Sequence, residues 1–150
     1  MDGSIFLVHG SDDVRKVEVA RMLEQATGRE VVILHEQPNR GRTLIEKFED
    51  HAGSAAFAVV ILTADDEGRH KGTDSDLMLR GRQNVVFEMG FFFAALGRSR
   101  VVVLLDDGIE KPSDVDGIVY VGLDSEGVWK LLLAKELAAA TIHVDLSKIV

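Results

Sequence analysis

Phe57-Ala58-Val59-Val60-Ile61-Leu62 is an unbroken run of six apolar residues. A run with no polar residue at either alternating position reads as a strand covered on both faces, the signature of a central strand in a layered sheet. Three comparable runs flank it: residues 5–8 and 31–34 upstream, and 101–105 downstream; residues 117–121 form a fifth, shorter one. The segments between them are long enough to be crossovers, so the strands are predicted to pair in parallel with right-handed connections.

Those connections read mostly as helices. Ser11 or Asp12 is placed to cap a helix over residues 13–26, ended by Gly28, with Val14, Val17, Ala20, Met22 and Leu23 as its inner stripe. Thr43 caps a helix over residues 44–51, with Glu46 at the capping-box position. Residues 82–96 read as a helix that from Val85 to Leu96 is apolar or glycine except at Glu88, expected to be buried, followed by the basic Arg98-Ser99-Arg100, which suits the dipole at a helix end. Asp124 or Ser125 caps a last helix to about residue 139, with Val128, Leu131, Leu132 and Leu137 facing inward. Residues 63–76 read as a long polar loop, and the tail from 142 to 150 as an edge strand or the start of a further segment. The expected fold is therefore α/β: a flavodoxin-like three-layer domain spanning residues 1–150, with a five-stranded parallel sheet in the order 2-1-3-4-5 and helices on both faces.

Composition narrows the function. With 150 residues, 46% hydrophobic and 28% charged, the chain suits one soluble globular domain. A net charge of -8 argues against a nucleic-acid binder, which needs a basic surface. The absence of cysteine removes disulfides, thiol catalysis and cysteine metal sites. No apolar run is long enough for a bilayer and no signal peptide is evident, so a cytoplasmic protein without membrane association is expected.

In such a sheet, ligands bind outside the carboxyl ends of the strands where strand order reverses, between strands 1 and 3. Three polar segments converge there: His9-Gly10-Ser11-Asp12, Thr63-Ala64-Asp65-Asp66, and Asn84 to Glu88 at the start of the apolar helix. The loop 35–42, which includes His35, Arg40 and Arg42, borders the same rim. Glu88 interrupts an otherwise apolar helix, so it either faces a pocket or is neutralised in the core by Arg82 or another arginine. Asn84 lies one turn before it and suits either a ligand hydroxyl or a helix cap. His9 ends the first strand, where a ligand contact and a structural role are both open. Gly10 and Ser11 would let the backbone approach a ligand and offer N–H groups at a helix start. Thr63 sits at the same rim. Asp65 and Asp66 would position a ligand or fasten their loop against Arg69 or Arg82; Arg40 and Arg42 would meet a pyrophosphate, a neighbouring subunit or solvent. Asp12 and Asp13 read as helix-start residues, and no metal site is expected.

Four motifs in order carry a resemblance: Phe6-Leu7-Val8-His9-Gly10; Leu34-His35-Glu36-Gln37-Pro38-Asn39-Arg40-Gly41-Arg42-Thr43; Leu62-Thr63-Ala64-Asp65-Asp66-Glu67-Gly68; and Arg82-Gln83-Asn84-Val85-Val86-Phe87-Glu88-Met89-Gly90. Together they resemble the bacterial TIR-like domains, described as predicted nucleotide-binding, that act as effectors in cyclic-nucleotide anti-phage systems of the CBASS and Pycsar type. The resemblance covers nearly the whole chain. It implies an NAD+ glycohydrolase whose family glutamate falls on Glu88, with NAD+ as substrate and no cofactor. It implies self-association through the loop 35–42, and commonly a fused cyclic-nucleotide sensor, such as a STING-like or SAVED module, that is not in this chain. The chain would then be the catalytic part of a longer protein with a C-terminal sensor.

That chemistry asks for little. Breaking the nicotinamide–ribose bond builds positive charge on the ribose, and neutral nicotinamide leaves without a general acid, so one ionised carboxylate beside the sugar is the main requirement. The rivals are a non-enzymatic TIR assembly module, a phosphoacceptor receiver domain and a nucleoside transferase. The receiver reading lacks its lysine: after the fifth strand the chain reads Gly122-Leu123-Asp124.

Overall fold

The computed structural model describes residues 3–33, 46, 49–50, 53–113 and 116–149. In chain order its elements are β1 (Ser4–Val8), α1 (Asp13–Thr27), β2 (Val31–Ile33), β3 (Ala55–Leu62), β4 (Asp66–Gly68), β5 (Met78–Arg80), α2 (Gln83–Leu96), β6 (Val101–Leu105), β7 (Val119–Gly122) and α3 (Val128–Ala139). The main sheet has the order β2-β1-β3-β6-β7, with every neighbouring pair parallel. This is the expected order, with the Phe57 run at its centre. Residues 34 and 43–45 of the expected second strand and following helix lie outside the described residues; Glu46, Glu49 and Asp50 are helical.

The strict two-residue repeat of a strand divides the sheet's side chains between two cores. Ile5, Leu7, Val59, Ile61 and Leu104 point to one side, where α1 and α3 cover them with Leu23, Trp129, Leu133 and Leu137. Phe6, Val8, Val60, Leu62 and Val103 point to the other, where α2 supplies Val85, Met89 and Phe92. Phe92 meets Phe6 edge-on with ring centroids 5.6 Å apart, a favoured aromatic geometry.

The helix faces differ from expectation. On α1 the buried set is Val19, Ala20, Met22, Leu23 and Ala26, an i, i+3, i+4, i+7 stripe; Val14 and Val17 fall on the far side of the 100° wheel and are exposed. On α3 the buried set is Trp129, Leu133, Ala134 and Leu137, which turns Val128, Leu131 and Leu132 toward solvent. Leu133→Ala is therefore expected to cost about 3–4 kcal/mol, whereas Leu131→Ala should stay within about 0.5 kcal/mol; urea unfolding of the two variants checks the assignment.

The caps are specific. Asp12 caps α1 by accepting from Arg15 N, and Gly28 ends it at φ 69°, a left-handed conformation that favours glycine. Asp124 accepts from Val128 N and Trp129 N at 2.9 and 2.8 Å, and these bonds to its charged form hold its carboxyl below the ordinary range. Three other expectations are corrected. The polar stretch 63–76 is not all loop: it contains β4, which pairs antiparallel with β5 just beyond the stretch, Glu67 opposite Leu79. Arg98 and Arg100 occupy a separate 3-10 turn and donate to the Asp116 and Ala56 carbonyls instead of closing α2. The tail forms a 3-10 turn, Leu146–Lys148, and Asp145 N donates to the Ala26 carbonyl at 2.8 Å, joining it to the end of α1.

Candidate active site

Strands β1, β3 and β6 end on one edge, and strand order reverses between β1 and β3. At that crevice the dominant feature is the Asp65 carboxylate. It accepts from Ser11 N at 3.1 Å, from the Ser11 hydroxyl, and from Thr63 Oγ1 at 3.0 Å. Arg82 Nε stands 4.0 Å away. The side chain is 6% exposed. Burial alone would raise its pKa, but the bonds from Ser11 and Thr63 and the Arg82 charge outweigh that effect and hold the carboxyl below its ordinary value. Ser11, Thr63 and Asp65 are thus brought together, engaged with one another.

Gly10 completes this junction. A Cβ there would stand 2.0 Å from Asp65 Oδ2, so the missing side chain makes room for the carboxylate. Gly10→Ala is expected to destabilise the protein by about 0.5–1.5 kcal/mol, the net worth of a disturbed hydrogen bond at a partly exposed site. The cost should largely disappear in an Asp65→Ala background, because the clash is gone; a double-mutant cycle by urea unfolding reads this coupling. His9 is buried, and its Nδ1 lies 2.7 Å from the Gly10 carbonyl. A carbonyl only accepts, so that bond puts a proton on Nδ1.

Glu88 has no exposed surface. It takes a position in the buried stripe of α2, with Val85, Met89 and Phe92. The rest of α2 is wetter than its composition suggests: Phe87 is exposed, and so are Gly90, Ala94 and Ala95. Asn84 is exposed in the first turn; Arg82, not Asn84, is the N-cap residue, and Val85 N bonds to its carbonyl at 3.0 Å. Gly81 packs against Leu62, where an added Cβ would meet Leu62 Cδ2 at 2.5 Å.

Against this first turn opens a cleft of about 790 Å³. Gly81, Gln83 and Val86 form one wall, and the β4–β5 hairpin and residues 110–112 form the other. Glu88 is not among its lining residues; Val86, two positions earlier, is. Four carboxylates (Asp65, Asp66, Glu67, Glu110) face two cations (Arg80, Lys111). Arg80 Nε is paired with Glu110 at 3.0 Å, and Glu110 N donates to the Leu79 carbonyl at 2.8 Å, so the hairpin is fastened to the segment after β6. A cleft of this charge favours a cationic ligand group.

Sequence reading missed Asp106. It follows β6, lies 3.5 Å from Arg15 Nε, and has its pKa raised by burial, opposed by Arg15 and reinforced by the Asp12 and Asp65 charges. An acid directly after a buried parallel strand was the available signal. The hairpin wall carried no such signal. Arg40, Arg42 and the loop 35–42 lie outside the described residues. Among the described residues there is no cluster of three or more His, Asp or Glu that could hold a metal, and no helix long and apolar enough to cross a membrane.

Comparison with known proteins fits this scaffold. The chain is 45% identical over 144 residues to the uncharacterized protein YuaY of Escherichia coli K12, covering 96% of this chain and 48% of YuaY. It is 33% identical over 126 residues to Protein tirC of Dictyostelium discoideum, covering 78% of this chain and 62% of tirC. It is 36% identical over 69 residues to CD-NTase-associated protein 12 of Niabella drilacis, covering 46% of this chain and 21% of that protein. The chain thus spans less than two thirds of each of these relatives. The family model described as "CAP12/Pycsar effector protein, TIR domain" matches residues 4–125, and with that match over most of its length the chain belongs to the TIR-domain family of CAP12 and Pycsar effectors.

Proposed function

We infer that this TIR domain cleaves the nicotinamide–ribose bond of NAD+ as the catalytic part of an anti-phage effector, with Glu88 as the catalytic carboxylate. The observation that carries the reading is an acidic residue at a core-stripe position of the helix whose first turn walls an acidic cleft. Family membership and the resemblance of residues 82–90 support the same assignment.

In the reaction the C1′–N bond breaks, its electron pair leaves with neutral nicotinamide, and water adds to C1′ and releases its proton to solvent. The ionised Glu88 stabilises the oxocarbenium-like charge, and the less water the site holds, the more that interaction is worth. The cleft's excess of carboxylates suits the positively charged nicotinamide ring of the ground state as well. Because Glu88 has no exposed surface, a ribose reaches it only after the side chains above it move apart. Turnover is therefore expected to be gated, rising steeply with protein concentration if self-association opens the rim. The loop 35–42 is the proposed self-association element, and a cyclic-nucleotide sensor elsewhere in the full protein is the proposed trigger.

The test is chromatographic. NAD+ incubated with the protein across a range of concentrations should yield nicotinamide and ADP-ribose products in equal amounts. No nicotinamide at any concentration, or under crowding, would support the second reading, an assembly module without catalysis. The exposed Leu77, Met78, Leu79 and Phe87 are the features that favour that alternative.

A further inference from the structure

Two clefts meet at Lys111. The first is the acidic cleft beside α2. The second, of about 720 Å³, lies over the ends of β6 and β7, walled in part by Arg15, Asp106, Asp107, Tyr120 and Asp124. Lys111 lines both. Its ammonium stands 5.1 Å from the centre of the Tyr120 ring, and the ring is held by a 2.7 Å bond from its hydroxyl to the Ser113 carbonyl.

The other cations of the two clefts are already engaged. Arg80 pairs with Glu110, and Arg15 with Glu18 and Asp106. Lys111 makes no ion pair with a described residue, so it is the cation left to meet a phosphate.

We propose that the two clefts together hold one dinucleotide, with the nicotinamide-ribosyl half in the first, the pyrophosphate against Lys111 and the adenosine half in the second. This rests on the reading of the domain as an NAD+-cleaving enzyme. The second cleft also sets a preference. Its three carboxylates, Asp106, Asp107 and Asp124, outnumber its cations, Arg15 and Lys111. Carboxylates accept hydrogen bonds from ribose hydroxyls, whereas a 2′-phosphate calls for an arginine. The site therefore takes NAD+ and discriminates against NADP+.

The experiment is steady-state turnover of NAD+ and NADP+ by the full chain, its Lys111→Ala, Lys111→Arg and Asp107→Lys variants, and Glu88→Gln, with circular dichroism to confirm folding. Lys111 is exposed, so its replacement should not disturb the core. Lys111→Ala is expected to raise KM for NAD+ about tenfold, the effect of losing one charge-assisted phosphate contact, with kcat changed no more than about twofold. Lys111→Arg should restore most of the loss. Wild type should favour NAD+ over NADP+ at least about tenfold in kcat/KM, and Asp107→Lys should narrow that gap. If Lys111→Ala leaves KM unchanged while Glu88→Gln abolishes cleavage, the two-cleft site is wrong and the enzymatic reading stands. If wild type cleaves no NAD+, the enzymatic reading fails and calorimetry with ADP-ribose decides the site. Binding weakened about tenfold by Lys111→Ala would retain it, and equal or absent binding would overturn it.

Discussion

Glu88→Gln is expected to lower nicotinamide release from NAD+ by at least about a hundredfold, the scale of removing one electrostatic partner from a reacting centre. Glutamine matches glutamate in shape, and the position has no exposed surface, so the substitution opens no cavity in the stripe shared with Val85, Met89 and Phe92. What it removes is the negative charge. Because that charge matters mainly when the ribose becomes cationic, kcat should fall far more than KM rises. A folded Glu88→Gln protein with near wild-type turnover would dismiss the carboxylate from the chemistry.

Asp65→Ala is expected to act first on stability and then on turnover. It strips the acceptor from Ser11 N, the Ser11 hydroxyl and Thr63 Oγ1 at once; Ser11 is exposed and its donors turn to water, while Thr63 is buried, so a full unsatisfied-donor cost of about 1–3 kcal/mol applies to Thr63 alone. Water reaching the vacated space offsets part of this, so a net loss of about 1–2 kcal/mol is expected. The pH dependence has a definite sign. Asp65's folded pKa lies below its ordinary value, so its stabilisation is fully present above about pH 4 and is lost as pH falls through the folded value. The gap between wild type and Asp65→Ala in urea unfolding should therefore be full at pH 7 and shrink below about pH 4. A gap that is constant with pH would mean that the carboxylate's charge contributes nothing. NAD+ turnover should fall as well, since Asp65 joins the loop after β1 to the loop after β3 and faces Arg82, the residue that starts α2.

How much of this was legible in the sequence depends on the range of the interaction that fixes each feature. The five strands and their order could be read because a strand buried on both faces needs a continuous apolar run, which is a local property. The Asp12 cap and the Gly28 stop were equally local. Helix faces were harder to read. Val14, Val17, Val128, Leu131 and Leu132 are apolar yet exposed, so an apolar residue did not by itself mark the inner stripe; the better guides were the residues at strict i, i+4 spacing, Val19 with Leu23 and Trp129 with Leu133. Residues 66–80 hid a short hairpin because the pairing of Asp66 with Arg80 and Gly68 with Met78 has no apolar alternation.

The arrangement of the rim was legible and its contacts were not, for the same reason. His9, Ser11, Thr63, Asp65 and the start of α2 were placed on one rim by topology alone. That Ser11 would spend its hydroxyl and its N–H on Asp65, a partner 54 residues away, left no trace in sequence spacing. Gly10 illustrates the point: its identity is set by the approach of Asp65 Oδ2, where sequence alone suggested room for a ligand. Lys111 and Glu110 drew no notice because they sit in an ordinary polar connection, and only the fold carries them to the cleft.

The most direct measurement is carbon-13 NMR of side-chain-labelled glutamate in the full chain, titrated with a non-hydrolysable carba analogue of NAD+. The Glu88 carboxyl resonance, assigned by its absence in Glu88→Gln, should shift progressively with ligand, together with resonances from the cleft walls. A Glu88 signal that stays fixed while the analogue saturates the protein would place the ligand away from this carboxylate and contradict its role in catalysis.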